Sequence, residues 1–92
     1  MITVELPRAL AELVDGRTSV TLDEPCSTAG EALAALSRKS PAVVDRVLDE
    51  RGEVRPHVNV FVGEESIRFL QGLQTPLGSD SRILIIAAVS GG

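Results

Sequence analysis

The chain has 92 residues, 43% of them hydrophobic and 24% charged, with a formal net charge of −4 at pH 7. That length makes one domain with one core, and the acidic balance argues against a nucleic-acid partner, which needs a basic patch. Aromatic residues are 2%, Phe61 and Phe69 alone, so the core must be aliphatic, and no apolar run approaches the ~20 residues that span a bilayer.

Met1 to Leu6 alternates, with Ile2, Val4 and Leu6 on one side and Thr3 and Glu5 on the other, and reads as a half-buried strand ended by Pro7. Arg8 to Val14 is apolar but short, a connecting loop or a single helical turn. Asp15-Gly16 is a turn signal. Arg17 to Leu22 alternates again with Val20 and Leu22 inward, so the first two strands form a hairpin with a wide loop. Thr28-Ala29-Gly30-Glu31 has capping-box spacing, with Thr28 as N-cap and Glu31 three positions on. Ala29, Ala32, Leu33 and Leu36 follow at helical spacing, and Arg38 and Lys39 complement the negative end of the helix dipole. Ser40-Pro41 opens a second short helix with proline in its first position, and Val44, Val47 and Leu48 form its apolar face. Asp49 to Pro56 is a polar loop.

His57 to Val62 is a strand with Val58, Val60 and Val62 on one face and His57, Asn59 and Phe61 on the other. Gly63-Glu64-Glu65 turns the chain, Ser66 to Leu70 reads as a short strand, and Gln71 to Asp80 as loop. Arg82 to Val89 is the last strand. Its near-continuous apolar character implies burial on both faces, or one face covered by a partner. The order ββα(α)βββ is an α+β domain with one helical layer on one sheet, and the last strand should lie centrally beside the first. The domain is expected over residues 1–88, with 89–92 as a C-terminal tail.

The interior offers little chemistry. His57, the only histidine, has no second ligand at metal-binding spacing, so no metal site is expected. Cys26 cannot form an internal disulfide, which points to a reducing cytoplasm; near a helix N-terminus its thiol could be activated, but no partner signature accompanies it. The carboxylate pairs Asp23-Glu24, Asp49-Glu50 and Glu64-Glu65 sit in turns, where solvated charge is the ordinary role. Ser66, Ser79 and Ser81 have no nucleophile-elbow context, and Gly63, Gly72 and Gly78 are separated turn glycines rather than a phosphate cradle. MITVELPR shows neither the basic nor the apolar region of a signal peptide.

Attention therefore moves to Ser90, Gly91 and Gly92, which follow the apolar strand directly. Glycine carries no Cβ and lets a backbone enter a narrow slot. Val89 to Gly92 spans roughly 13–14 Å when extended, enough to carry a carboxylate into another protein's active site. A carboxylate is a poor electrophile, and adenylation by ATP would make it an acyl-adenylate open to a sulfur nucleophile or an amine. Equally, terminal glycines can be frayed slack.

His57-Val58-Asn59-Val60-Phe61-Val62-Gly63, then Ile67-Arg68-Phe69, then Gly72-Leu73-Gln74-Thr75-Pro76-Leu77, and the closing stretch from Asp80 through Ala87-Ala88-Val89-Ser90-Gly91-Gly92 resemble the ubiquitin-like sulfur carrier family. That family includes the small subunit of molybdopterin synthase, the thiazole-synthesis carrier and the carrier for cysteine synthesis. The likeness runs along the whole chain in order of elements and is specific over the C-terminal third, where it looks most like the cysteine-synthesis and long molybdopterin-type carriers.

The resemblance implies a β-grasp fold, one mixed sheet with a helix on one face, and a cytoplasmic carrier that is a co-substrate rather than an enzyme. It implies that Gly92 is adenylated by a ubiquitin-activating-type adenylyltransferase/sulfurtransferase using ATP, with no bound cofactor. The resulting thiocarboxylate passes sulfur to a sulfur-accepting synthase, with cysteine synthesis the leading pathway and molybdopterin synthesis the alternative. Phe61 and Phe69 match positions that such carriers use for docking, and core roles for both stay open. With Leu70 and Leu73 they are expected to form an apolar patch on the exposed sheet face. A ubiquitin-like protein modifier, joined through Gly92 to target lysines, shares the activation step. A pure interaction module whose glycines are slack is the third reading.

Overall fold

A computed structural model describes residues 1–87 of the chain. The expectations placed on Ser90, Gly91 and Gly92, and the domain boundary after residue 88, lie outside the described residues.

The chain opens with strand β1 (Ile2–Glu5), helix α1 (Arg8–Ala11) continued by a 3-10 turn (Glu12–Val14), and strand β2 (Ser19–Leu22). β1 and β2 pair antiparallel, with Ile2 opposite Leu22 and Val4 opposite Val20, which is the expected hairpin. The reversal falls at Asp15 and Gly16, both at positive φ (57° and 79°), a conformation that glycine and aspartate tolerate better than branched residues.

Helix α2 (Ala29–Lys39) starts as the capping spacing requires. The Glu31 N–H donates to Thr28 Oγ1 at 3.1 Å, and the Ser27 N–H donates to Glu31 Oε1 at 2.8 Å. The return bond thus reaches one residue further back than in the standard box. Ala29, Ala32, Leu33, Ala35 and Leu36 are buried along one face; full burial of each leucine contributes about 1.5–3 kcal/mol. Helix α3 (Pro41–Val47) carries proline in its first turn and buries Val43, Val44 and Val47. Leu48, expected on that face, instead leaves the helix in an extended conformation and bridges to Val54. The reason lies one residue on: the Asp49 carboxylate accepts the N–H groups of Arg51 (2.8 Å) and Glu53 (3.0 Å), a local turn that competes with another helical turn.

Strands β3 (Val58–Val62), β4 (Glu65–Ser66) and β5 (Arg82–Ala87) complete one mixed sheet in the order β2-β1-β5-β3-β4. β1 and β5 are parallel neighbours at its centre, and the other pairs are antiparallel. Val4, Val58, Val60, Ile83 and Ile85 point into the core that α2 and α3 cover. This is the β-grasp arrangement, with the last strand central and beside the first.

Two strand limits differ from expectation. The strand expected over Ser66 to Leu70 pairs only at Glu65 and Ser66, and the chain then tightens into a 3-10 turn over Ile67–Phe69. Ser66 Oγ accepts the Arg68 N–H at 3.3 Å, which draws the backbone out of the ladder. The turn drives Ile67 into the core and leaves Phe69 84% exposed. The stretch expected as loop between Gln71 and Asp80 holds another 3-10 turn, Gly72–Gln74. Among the described residues no helix is long and apolar enough to cross a membrane.

Candidate functional site

The helices cover one face of the sheet, and the other face carries an apolar centre on β5. Ile83 and Ile85 are fully buried, whereas Leu84 and Ile86, on the opposite side of the same strand, are 37% and 43% exposed. Leu84 sits between Glu5 on β1 and Phe61 on β3, and Ile86 lies opposite Asn59. Arg82, on the same side, places Nε 3.7 Å from Glu5 Oε2 and supplies a charged rim. The solvent face of a sheet is ordinarily polar. Exposed branched residues on a central strand set this face apart from an ordinary solvent face.

The four residues singled out for docking divide. Phe69 and Leu70 (41% exposed) are on the surface, in and just after the 3-10 turn that follows β4. Phe61 is half-buried beside Leu84. Leu73 is half-buried and packs against the core. It comes so close to α2 that a Cβ on Gly30 would lie 3.0 Å from the Leu73 carbonyl oxygen. The residues that sequence reasoning missed are Leu84 and Ile86. Their signal was present, since every residue from Ile83 to Val89 is apolar while a strand with helices on one side needs only alternate ones.

The same strand fixes where the described chain ends. Ala87 is opposite Val58, the first residue of β3, with exposed His57 just before it. Residues 88 to 92 follow from there in sequence. That end of the sheet is held from outside by Arg68, whose guanidinium Nη2 donates to the carbonyls of Val58 (2.7 Å), Arg55 (3.0 Å) and Pro56 (3.2 Å).

At the opposite end, where β1 begins and β2 finishes, a cavity of about 320 Å³ is lined by Ile2, Leu22, Pro25, Cys26 and Leu77 among others. Cys26 there is buried and donates weakly to the Glu24 carbonyl at 3.5 Å. Burial pushes its thiol above the ordinary value of 9.0, and the charges of Glu24 and Glu31 push the same way. That is the reverse of what an activated cysteine requires. Among the described residues, no three His, Cys, Asp or Glu side chains gather as a metal site would need.

A β-grasp domain whose central last strand is apolar on both faces and runs on toward paired glycines defines the class of ubiquitin-like modules. The chain belongs to the ThiS family, whose model matches residues 4–92, a family of ubiquitin-like sulfur carriers. It is 29% identical to the sulfur carrier protein CysO of Mycobacterium tuberculosis over 93 aligned positions, covering 99% of this chain and 98% of that protein. The fold matches a chain in the crystal structure of the Amycolatopsis orientalis BexX/CysO complex with a TM-score of 0.89 and 26% identity, over the full length of both. It also matches the Haloferax volcanii small archaeal modifier protein 1 with a TM-score of 0.80 and 28% identity, covering 96% of this chain and 97% of that one.

Proposed function

We propose that this chain carries sulfur on its C-terminal carboxylate and is a co-substrate rather than a catalyst. The Gly92 carboxylate attacks the α-phosphate of ATP on a ubiquitin-activating-type enzyme, releasing pyrophosphate and leaving an acyl-adenylate. Sulfide from the sulfur donor then attacks the acyl carbon; the new C–S bond forms as the C–O bond to AMP breaks, AMP leaves, and the terminal carboxylate becomes a thiocarboxylate. The thiocarboxylate is the sulfur donor at a second enzyme. Gly91 and Ser90 form the slender approach to the reacting carbon, since neither presents a bulky side chain. No resident cofactor enters the scheme, ATP being the activating enzyme's own substrate, and the cytoplasm is its natural compartment.

The observation that carries this reading is that the strand leading directly to the glycines also bears the exposed apolar pair Leu84 and Ile86. Docking surface and reacting group thus belong to one continuous segment. Membership of the ThiS family supports the sulfur chemistry. For the acceptor, near full-length similarity to CysO favours a cysteine-forming synthase; the large subunit of a molybdopterin synthase is the alternative. Similarity to the archaeal modifier keeps a second outcome in view, in which an amine takes the acyl group and the chain becomes attached to lysines.

Intact mass tests the proposal. After incubation with ATP, the cognate activating enzyme and a sulfur donor, the protein should gain the mass difference of one sulfur for one oxygen. A variant lacking Gly92 should gain nothing. An unchanged wild-type mass would sink the carrier reading, and Gly92-dependent conjugates in lysate without thiocarboxylate would favour the modifier.

A further inference from the structure

We infer that Arg68 is a positioning residue for the reaction at the C-terminus, an inference that rests on the carrier function proposed above. β4 pairs with β3 only at Phe61 and Val62. From Val58 to Val60 the outer edge of β3 therefore has no strand beside it among the described residues. In place of a strand, a single guanidinium nitrogen of Arg68 reaches the carbonyls of Arg55, Pro56 and Val58 at 2.7–3.2 Å. Charge-assisted bonds of this kind are shorter and stronger than neutral ones. Arg68 is itself held, since it sits in the 3-10 turn whose first residue, Ile67, is anchored in the core.

Arg55 ties down the segment before β3 from the other side. Its Nε and Nη2 donate to the Asp45 carbonyl at 3.1 and 2.9 Å, and its N–H donates to the Val47 carbonyl at 2.9 Å. The stretch entering β3 is thus clamped between helix α3 and Arg68 without any strand pairing of its own.

The consequence falls on β5. Val58 is the partner of Ala87 and the last rung of the β3–β5 ladder. No other described strand holds β5 there, because the β1 pairing ends at Glu5 opposite Leu84. At Ile86 and Ala87 the last strand depends on β3 alone, and the beginning of β3 depends on Arg68. A terminus delivered into a narrow active site must leave the domain in a fixed direction, because errors of about 1 Å in placing a reacting group cost up to about a hundredfold in rate. Arg68 steadies, from outside the sheet, the rung at which the described strand ends, and it does so without touching the reacting atoms.

The test compares Arg68→Met and Arg68→Lys with wild type in adenylation by the cognate activating enzyme, together with amide hydrogen exchange on the free proteins. Arg68→Met should lower kcat about tenfold with KM within twofold, because the Leu84 and Ile86 side chains on β5 are unchanged and the turn carrying Phe69 stays anchored by Ile67. Arg68→Lys, whose ammonium retains charged donors, should recover part of the loss. Exchange should quicken at Val58, whose N–H donates to the Arg55 carbonyl, and at Ile86, opposite Asn59, and stay unchanged at Val4 and Ile83. Normal kcat for Arg68→Met would overturn the inference, as would a raised KM with kcat intact, which would make Arg68 a docking contact. Unaltered exchange at Ile86 would overturn it without any enzyme. Failure of the wild-type chain to be adenylated at all would instead remove the carrier reading on which it rests.

Discussion

Leu84 lies directly opposite Phe61 in the β3–β5 ladder, on the face of the sheet that the helices leave open. Each is only partly shielded by the other, and Ile86 extends the same surface one rung toward the end of β5. A contiguous apolar centre with an Arg82–Glu5 pair at its rim has the anatomy of an interface core bounded by polar groups.

Ile86→Lys should therefore separate binding from folding. Ile86 is 43% exposed, and the aliphatic stem of lysine can cover much of the same neighbouring surface, so the substitution should cost about 1 kcal/mol of stability. It places a charge at the centre of the proposed contact and should weaken binding to the activating enzyme by at least about tenfold, a loss of roughly 1.4 kcal/mol. Phe69→Glu, at 84% exposure, should likewise leave folding intact and weaken binding. Calorimetric titration beside thermal melts reads both effects, and unfolding of either variant would place its side chain in the core after all.

Gly30 makes the opposite kind of test, inside the fold. An added Cβ would lie 3.0 Å from the Leu73 carbonyl oxygen and 3.3 Å from its Cβ. The chain beyond Leu73 cannot easily retreat, because the Ala29 N–H donates to the Thr75 carbonyl and the Leu77 N–H to the Ser27 carbonyl, both at 2.9 Å. Alanine would gain about 1 kcal/mol from helix preference, and overpacking costs about 1–3 kcal/mol. Gly30→Ala should come out destabilising by about 1 kcal/mol in urea unfolding. A net gain would mean that the Leu73 segment yields freely.

Acid should act through Asp49. The N–H of Glu53, and then that of Arg51, hold its carboxyl below the ordinary value of 3.8. A lowered carboxyl contributes stability that is present above its unfolded value and lost as pH falls through the folded one. Wild-type stability should hold from neutral pH down to about pH 4 and decline below it. Asp49→Asn should be less stable at pH 7, and the gap should close as pH drops below 3.8. A gap that stayed constant with pH would show that the charge contributes nothing.

The sequence made the periodic elements legible because their signals are local. Thr28 and Glu31 marked the start of α2, and alternation marked β1, β2 and β3. The central place of the last strand followed from its hydrophobicity. What escaped depended on contacts between distant segments or on side chains bonding to nearby backbone. Leu48 leaves α3 because Asp49 captures two N–H groups, and Ser66 ends β4 by bonding to Arg68. Neither serine nor aspartate announces which local bond it will choose. At the site, Phe61 and Phe69 drew attention as the only aromatics. Leu84 and Ile86 were hidden inside a run whose buried and exposed halves look alike until the helices are placed on one side.

The parallel pairing of β1 with β5 joins the two ends of the described chain, and the Met1 amino group reaches Asp80, 79 positions away, at 2.9 Å. Contacts so distant in sequence slow folding, because the loop must close before they repay its entropy. On the ribosome the consequence is one of timing: β1 has only its hairpin partner until residues 82–87 have been made. The core cannot shut until β5 has emerged, so translation products that stop short of it would lack the central strand. Closure of the core and display of the Leu84 and Ile86 face are therefore coupled in time, since both wait for the same strand.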